Sequence, residues 1–337
     1  MRKMNSDAFD IKQLEAFAAV ISSGSITGAA RLLGRSQPAV TRLIQDLEAN
    51  VGFPLLHRNG PRISPTPQGL AFHEEVERLL VGFRHMRERA AAIGAAELRA
   101  IEIAATPALA TGITAQALAR LDPTLVPRVM HVQSVAAEQV IQLVQAHSAD
   151  IGIATLPIEH PGVDVLWIGE APCVAAVPAD DALAQRPVLR MADLAGRRLI
   201  TMANPYRLRR RVDEALARAG VSPASLIDTN SALTALGAAR AGLGVALVEP
   251  ASAYGLPLEG VAVRPLDVAI PFLFGAIVPA ARPLTPSLEA LSLALQETAA
   301  ALLPGFRLHD AAGREALAAA IYGAETDAAA AVSESTP

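Results

Sequence analysis

The sequence predicts an α/β protein with a small helical N-terminal part and a larger part in which strands and helices alternate. Two patterns predict this fold class. Residues 11–93 carry apolar residues at helical spacing, interrupted by one short hairpin pattern. Residues 99–279 carry eight strand-like runs, most of them separated by helical stretches, which favours mainly parallel sheets. The length of 337 residues leaves room for two or three domains.

Charge is divided unevenly between the two parts. The chain has a net charge of −4, but residues 1–93 hold 12 Lys and Arg against 9 Asp and Glu, and the remainder holds 17 against 24. This asymmetry suggests one module for a polyanion and another for a different ligand. No secretion signal or membrane span is visible, and the single cysteine, Cys173, cannot form an internal disulfide. A reducing, cytoplasmic location is therefore expected.

The stretch "SITGAARLLGRSQPAVTRLIQDLE" predicts two closely spaced helices. Ser25 can cap the first, Ser36 can cap the second, and Pro38 is tolerated in a first helical turn. The second helix buries one apolar stripe and carries Gln, Thr and Arg on its other side, where they can bond base edges or phosphates. This pattern is typical of a helix-turn-helix, and a merely solvated face is the disfavoured alternative. The expected DNA-facing residues of this helix are Ser36, Gln37, Pro38, Thr41, Arg42 and Gln45.

A hairpin and a long helix follow. The turn at Asn59-Gly60 predicts a wing beside the second helix, with Arg58 and Arg62 meeting backbone phosphate. Thr66 then caps a helix from Pro67 to about residue 93. Pairing with a second copy is the simplest way to bury its apolar seam, which comprises Leu70, Phe72, Val76, Leu79, Leu80, Phe83 and Met86.

About sixty residues here resemble the N-terminal domain of LysR-type transcriptional regulators. The departures from the family pattern are mild. Thr41 takes the place of a usual serine, Leu56 takes the place of a usual Phe, and Pro65 is expected to interrupt the return strand of the wing. The residues that carry the resemblance are Phe17, Gly24-Ser25, Ala29-Ala30, Leu33, Ser36-Gln37-Pro38-Ala39-Val40, Leu47-Glu48, Gly52, Arg58, Thr66 and Gly69.

The resemblance implies a winged helix-turn-helix DNA-binding domain at residues 1–66 and a dimerising linker helix at 67–96. It implies an effector domain of the type-2 periplasmic-binding-protein fold at 97–303. The Ala-rich tail, 304–337, is expected to be partly disordered. The implied partners are double-stranded promoter DNA, further copies of the chain in a dimer and homotetramer, and a small-molecule effector, with RNA polymerase as a further candidate. No other cofactor is expected.

The second part of the chain predicts two α/β lobes around a cleft. Crossovers are expected near Leu166–Glu170 and Leu266–Pro271. Lobe I then comprises residues 97–167 and 270–303, and lobe II residues 168–269. Ligands of such folds bind where strands end and helices begin.

Four strand-to-helix turns carry hydroxyl and amide groups that suit an anion, most simply a carboxylate. Each alone is an ordinary helix cap, but four at one cleft favour a small-molecule site. "AARAGLGVALVEP" also resembles the branch of the family that senses opines and amino acids, so Glu249 could meet a ligand amine or be an exposed loop carboxylate. The expected effector-binding residues are Thr106, Gln133, Ser134, Asn204, Tyr206, Arg207, Ser231, Thr234 and Glu249.

An enzyme is not expected. "GLGVAL" lacks the third glycine of a dinucleotide fingerprint, the seven histidines lack metal-ligand spacing, and no GxSxG motif occurs. Two other classes are alternatives. An architectural DNA-binding protein is disfavoured by the polar cleft, and a solute-binding protein is disfavoured by the missing signal peptide.

Overall fold

The computed structural model describes residues 10–59, 62–95, 100–156, 162–204 and 208–309. The chain divides into two compact units, Met1–Glu97 and Leu98–Pro337. Within the described ranges, no helix combines the length and the apolar character that crossing a membrane requires.

The first unit opens with three helices whose ends are set by local sequence. Gly24 ends the first helix with a φ of +66°, and Gly52 ends the third with a φ of +81°. The Ser25 hydroxyl accepts a hydrogen bond from the N–H of Gly28 at 3.0 Å, as a cap does. Ser36 occupies the cap position of the third helix, but its side chain makes no capping hydrogen bond. The three helices are α1 (Ile11–Ser23), α2 (Ile26–Leu32) and α3 (Gln37–Val51).

The wing is a two-stranded antiparallel hairpin, β1 (Leu56–Asn59) and β2 (Arg62–Pro65). Pro65 does not interrupt β2, because it pairs with Leu56 as the last residue of that strand. The Thr66 hydroxyl then donates to the Pro54 carbonyl at 2.8 Å and accepts from the N–H of Gly69 at 2.9 Å. Gly69 is required here, since an added Cβ would lie 2.9 Å from the carbonyl carbon of Leu55.

The long helix α4 (Pro67–Ala95) contributes to the core of the first unit. Val76 is 2% exposed and belongs to the buried cluster around Phe17 and Leu47. The expectation that Val76 lies in the dimer seam is therefore wrong, because α1 already covers it. Leu79 and Met86, seven residues apart on α4, remain 51% and 56% exposed.

The second unit contains two sheets. Its strands are β3 (Ile101–Ala105), β4 (Met130–Ser134), β5 (Ile151–Thr155), β6 (Val163–Pro172), β7 (Val174–Pro178), β8 (Arg198–Met202), β9 (Ser225–Thr229), β10 (Val245–Val248), β11 (Val261–Pro265), β12 (Pro271–Pro279) and β13 (Arg307–His309). One sheet has the order β13-β6-β12-β5-β3-β4 and the other the order β11-β7-β10-β8-β9. In each sheet three neighbouring strands are parallel and the others antiparallel.

Helices flank both sheets, and a buried apolar core runs through the unit. The helices are α5 (Pro107–Leu109), α6 (Ala115–Leu118), α7 (Ala137–Gln145), α8 (Leu208–Arg218), α9 (Ala232–Arg240), α10 (Pro250–Gly255) and α11 (Pro286–Leu302). A π-helical turn, Ala110–Thr114, joins α5 to α6. Such turns are rare and are found frequently at functional sites.

The first crossover lies later in the chain than the sequence predicts. Residues 166–170 belong to β6, which pairs with β12 along its whole length, so the five-stranded lobe begins after Pro172 rather than at residue 168. The N–H of Cys173 donates to the carbonyl of Ile270 at 2.8 Å, which ties the two connecting segments together. Residues 307–309 also form a strand, β13, where a tail was expected.

Candidate DNA-reading face and effector cleft

The exposed side of α3 forms a shallow surface depression in the first unit. Helix spacing places its residues together, because positions three and four apart share one face. Arg42 is 84% exposed, and its Nε lies 3.9 Å from a carboxylate oxygen of Asp46. Thr41 donates its hydroxyl hydrogen to the carbonyl of Gln37 at 3.0 Å, which leaves the hydroxyl oxygen able to accept. The depression is lined by Gln37, Pro38, Thr41, Arg42, Gln45 and Asp46.

The surroundings of this face add positive charge. Ser36 is exposed beside it, and Arg31 and Arg35 are exposed on α2 and in the turn before α3. Neither arginine was predicted from the sequence, although basic residues beside a helix-turn-helix indicate phosphate contact. Arg58 and Arg62 lie on the two strands of the wing, but their side chains are outside the described part of the structure.

A cavity of about 480 Å³ lies between the two sheets of the second unit. This size falls within the ~300–1,000 Å³ of small-molecule sites. It forms where strands from both sheets end, as expected for open α/β sheets. The side chains and backbone that line it come from Thr106, Pro107, Ala108, Ser134, Val135, Ala136, Ala137, Glu138, Thr155, Leu156, Met202, Asn204, Leu208, Arg211, Asn230, Ser231, Ala232, Glu249, Phe272 and Leu273.

The structure brings five of the sequence-predicted residues to this cavity, namely Thr106, Ser134, Asn204, Ser231 and Glu249. Gln133 and Thr234 do not line it. Successive residues of a strand face opposite sides, so Gln133 and Ser134 cannot both face the cleft. Thr234 is exposed on α9, and its N–H donates to the Ser231 hydroxyl at 3.4 Å, as in an ordinary helix cap. Tyr206 and Arg207 lie outside the described residues.

The start of α7 forms part of one wall. Residues 134–138 line the cavity, and Ala136 occupies the cap position of α7 without a side chain that could bond the first N–H groups. A helix start of this kind favours a negatively charged group, because its N–H groups and the helix dipole point toward it. Glu138, at the same rim, is exposed to solvent.

Glu249 lies on the opposite wall, at the junction of β10 and α10. Glu249 is 5% exposed, and its carboxylate accepts a hydrogen bond from the N–H of Ser252 at 2.9 Å. Burial raises the pKa of Glu249 from its ordinary 4.5 to about 7, although the Ser252 hydrogen bond opposes this shift. Nearby, burial and the negative charge of Glu249 also raise the pKa of the Cys173 thiol.

Arg211 was missed by the sequence analysis. It is 7% exposed, lines the cavity, and donates from Nη1 to the Pro271 carbonyl. A signal was present, because Arg211 lies three residues after Leu208 and one before Val212, on the buried stripe of α8. Across the described residues, no three His, Cys, Asp or Glu side chains are grouped as metal ligands would be.

Comparisons with known proteins identify both units. The profile described as LysR substrate binding domain matches residues 95–300. The profile described as bacterial regulatory helix-turn-helix protein, lysR family, matches residues 11–70. The chain belongs to the LysR family. This LysR-family protein is a transcriptional regulator that binds promoter DNA and a small-molecule effector, and it is not an enzyme.

Similar regulators cover most of this LysR-family chain. The regulatory protein NocR of Agrobacterium fabrum is 29% identical over 80% of this chain and 89% of its own. The octopine catabolism/uptake operon regulatory protein OccR of Rhizobium meliloti is 32% identical over 77% and 86%. The transcriptional activator protein LysR of Escherichia coli is 27% identical over 81% and 88%.

The fold of the LysR-family regulator is also similar to solved structures. CbnR, a LysR family transcriptional regulator, superimposes with a TM-score of 0.71 at 22% identity, over 86% of this chain and 99% of that chain. Full-length CbnR in complex with its target DNA superimposes with a TM-score of 0.69, again over 86% of this chain and 99% of that chain. Both comparisons therefore support the two-part architecture.

Proposed function

We propose that this regulator senses a small carboxylate or amino-acid-like metabolite held in the cavity between its two sheets. The observation that carries the proposal is the composition of that cavity. Hydroxyl and amide groups reach it from both sheets, at Thr106 and Ser134 on one side and at Asn204 and Ser231 on the other. A ligand that bonds both sides would favour the closed arrangement of the lobes.

The carboxylate of the ligand would lie at the start of α7. The N–H groups there have no side-chain cap, and Ser134 stands beside them with a hydroxyl that can donate. The relative OccR is described as a regulator of octopine catabolism and uptake. An opine carries carboxylate and nitrogen groups together, which agrees with a cavity of this size and polarity. The ligand itself is the only small molecule that the proposal requires, so no further cofactor is included.

Bound to DNA, the regulator would place α3 in the major groove. Gln37, Thr41, Arg42 and Gln45 would then meet base edges, while Arg58 and Arg62 of the wing would meet phosphates. Two copies would pair through α4, on which Leu79 and Met86 are 51% and 56% exposed. The proposal also includes assembly into a tetramer, contact with RNA polymerase, and action in the cytoplasm.

The test is a gel shift of the full chain with the DNA upstream of its own coding region, against unrelated DNA of equal length. The same gels include octopine, L-arginine, L-lysine, L-glutamate and isocaproate in separate lanes. We expect specific retention of the upstream DNA and a change in its affinity with at least one probe. Equal retention of unrelated DNA, or no response to any probe, would contradict the proposal.

A further inference from the structure

One oxygen of the buried Glu249 carboxyl has no hydrogen bond of ordinary geometry. Oε2 accepts from the Ser252 N–H at 2.9 Å and Oε1 is buried without such a bond, while the Ser252 hydroxyl and the Ala251 N–H are close enough to the carboxyl to oppose the rise in its pKa. Capping a helix needs one oxygen, and Ser, Thr or Asp provides it from a shorter side chain. A buried polar oxygen without a donor is unfavourable. The second oxygen of Glu249 therefore needs an explanation beyond the cap.

No cation of the described ranges pairs with Glu249. The cavity contains one arginine in those ranges, Arg211, whose guanidinium donates to the Pro271 carbonyl. A buried carboxylate with a pKa near 7 and no partner lacks an opposite charge. It could obtain that charge from a ligand in the cavity.

Thr106 supplies a second unsatisfied oxygen from the other sheet. It is 7% exposed, its hydroxyl oxygen Oγ1 is buried without a partner, and it caps no N–H of α5. Thr106 directly precedes α5, and Glu249 directly precedes α10. These two short helices pack against each other, and both residues line the same cavity.

We infer that Glu249 and Thr106 together form a cation subsite, which binds the protonated amine or guanidinium group of the effector. This inference rests on the proposed function, because it takes the cavity as the effector site. The carboxylate Oε1 and the hydroxyl Oγ1 accept hydrogen bonds from the nitrogen, while the start of α7 receives the ligand's anionic end. The cavity thereby selects zwitterionic ligands over simple carboxylates.

Calorimetric titration of the full chain with two matched pairs of probes tests the subsite. L-Arginine and L-citrulline differ in the charge of the side-chain end, and L-leucine and isocaproate differ in the α-ammonium group. We expect wild type to bind the cationic member of at least one pair about tenfold more tightly or better. That pair also shows which kind of nitrogen occupies the subsite.

The decisive variant is Glu249→Gln, because its amide oxygen can still accept from the Ser252 N–H while the charge is lost. We expect it to bind the two members of the pair with affinities within about twofold, which is the loss of the tenfold preference. Thr106→Val, which removes only the hydroxyl, should weaken the cationic member alone. Glu170→Gln makes the same chemical change at a buried carboxyl that does not line the cavity, and should keep the preference.

Three results would overturn the subsite: equal binding within both pairs, no binding by any of the four probes, or a preference that persists in Glu249→Gln. Failure of the cation subsite can be distinguished from failure of the proposed function. If citrulline or isocaproate binds wild type as tightly as its cationic counterpart and changes operator affinity, the cavity is an effector site without a cation subsite. If no probe binds and none changes operator affinity, both proposals fail.

Discussion

Gly112 and Gly255 lie in direct backbone contact. Gly112 belongs to the π-helical turn that follows β3 of one sheet, and Gly255 ends α10, which follows β10 of the other. A Cβ added to Gly255 would lie 2.7 Å from the carbonyl carbon of Gly112. The amide of Gln116 donates to both carbonyls, at 3.3 Å and 3.2 Å. The segments that follow β3 and β10 therefore meet through backbone at these two glycines, with no room for a side chain.

Gly112→Ala is expected to destabilise the second unit, because its methyl group would lie 2.7 Å from the carbonyl carbon of Ala251. Overpacking of this kind typically costs ~1–3 kcal/mol. Urea denaturation measures the loss. Gly237→Ala is the matched control, since no atom lies within 4 Å of its added Cβ on α9. The control should be neutral or more stable by up to about 1 kcal/mol. Equal effects from both substitutions would contradict the close contact.

Glu249 should make the stability of the protein depend on pH. Because burial raises its pKa from 4.5 to about 7, the folded chain holds a proton that the unfolded chain releases in this window. The contribution of Glu249 to the free energy of unfolding is therefore largest below about pH 4.5, and it is lost as the pH rises through about 7. Glu249→Gln removes this dependence.

At about pH 8 we expect Glu249→Gln to be more stable than wild type by about 3 kcal/mol, and near pH 4.5 the two should be similar. Urea denaturation across this range measures the difference. Cys173 does not contribute to this difference in stability, because burial and the charge of Glu249 raise the pKa of the Cys173 thiol and keep the thiol protonated. A difference between the two proteins that stays constant with pH would show that Glu249 is not the group involved.

Arg42→Ala should weaken binding to the specific operator by ~1–3 kcal/mol if the guanidinium reads a guanine edge. Arg84→Ala is the control, since it removes the same charge from an exposed position on α4, away from the reading face. Arg58→Ala should weaken all DNA sequences alike and reduce the salt slope by about one. Fluorescence anisotropy at several salt concentrations measures all three. An equal loss from Arg42→Ala on specific and unrelated DNA would contradict base reading.

The exposed seam of α4 should hold a dimer. Leu79→Asp combined with Met86→Asp places charges on the exposed positions and should lower the oligomeric state in sedimentation without unfolding the chain. Val76→Asp should instead unfold the first unit, because Val76 is 2% exposed in its core. If the double variant sediments like wild type, α4 is not the dimer contact.

Much of the first unit was predictable because its signals are local. Ser25, Thr66 and the glycines that end α1 and α3 each act within a few residues, so their capping roles are visible in the sequence. The burial of Val76 was not visible. Its heptad spacing fits a dimer seam and a domain core equally well, and only the packing of α1 against α4 distinguishes them.

The second unit shows where sequence patterns fail. The run of residues 163–172 has no turn signal, and its partner β12 lies a hundred residues later, so the pairing could not be foreseen. The strand-to-helix turns correctly predicted that Ser134 and Ser231 would line the cleft. Arg211 was missed, because a helix with four arginines in its sequence neighbourhood gives little indication of which one is buried.

The central claim, that a ligand in the cleft controls DNA binding, is tested most directly by one operator titration. The full chain is titrated onto its upstream DNA while the concentration of the best-binding probe is varied, for wild type, Ser134→Ala and Gln133→Ala. Ser134 lines the cavity and its neighbour Gln133 does not. A lost hydrogen bond to a buried ligand atom costs ~1–3 kcal/mol, and ~1.4 kcal/mol is tenfold.

We therefore predict that Ser134→Ala shifts the probe response to about tenfold higher concentration. Its operator affinity without the probe should match wild type, and Gln133→Ala should respond as wild type does. Superimposable responses of Ser134→Ala and wild type, or a loss of operator binding by a folded Ser134→Ala protein without the probe, would contradict the account.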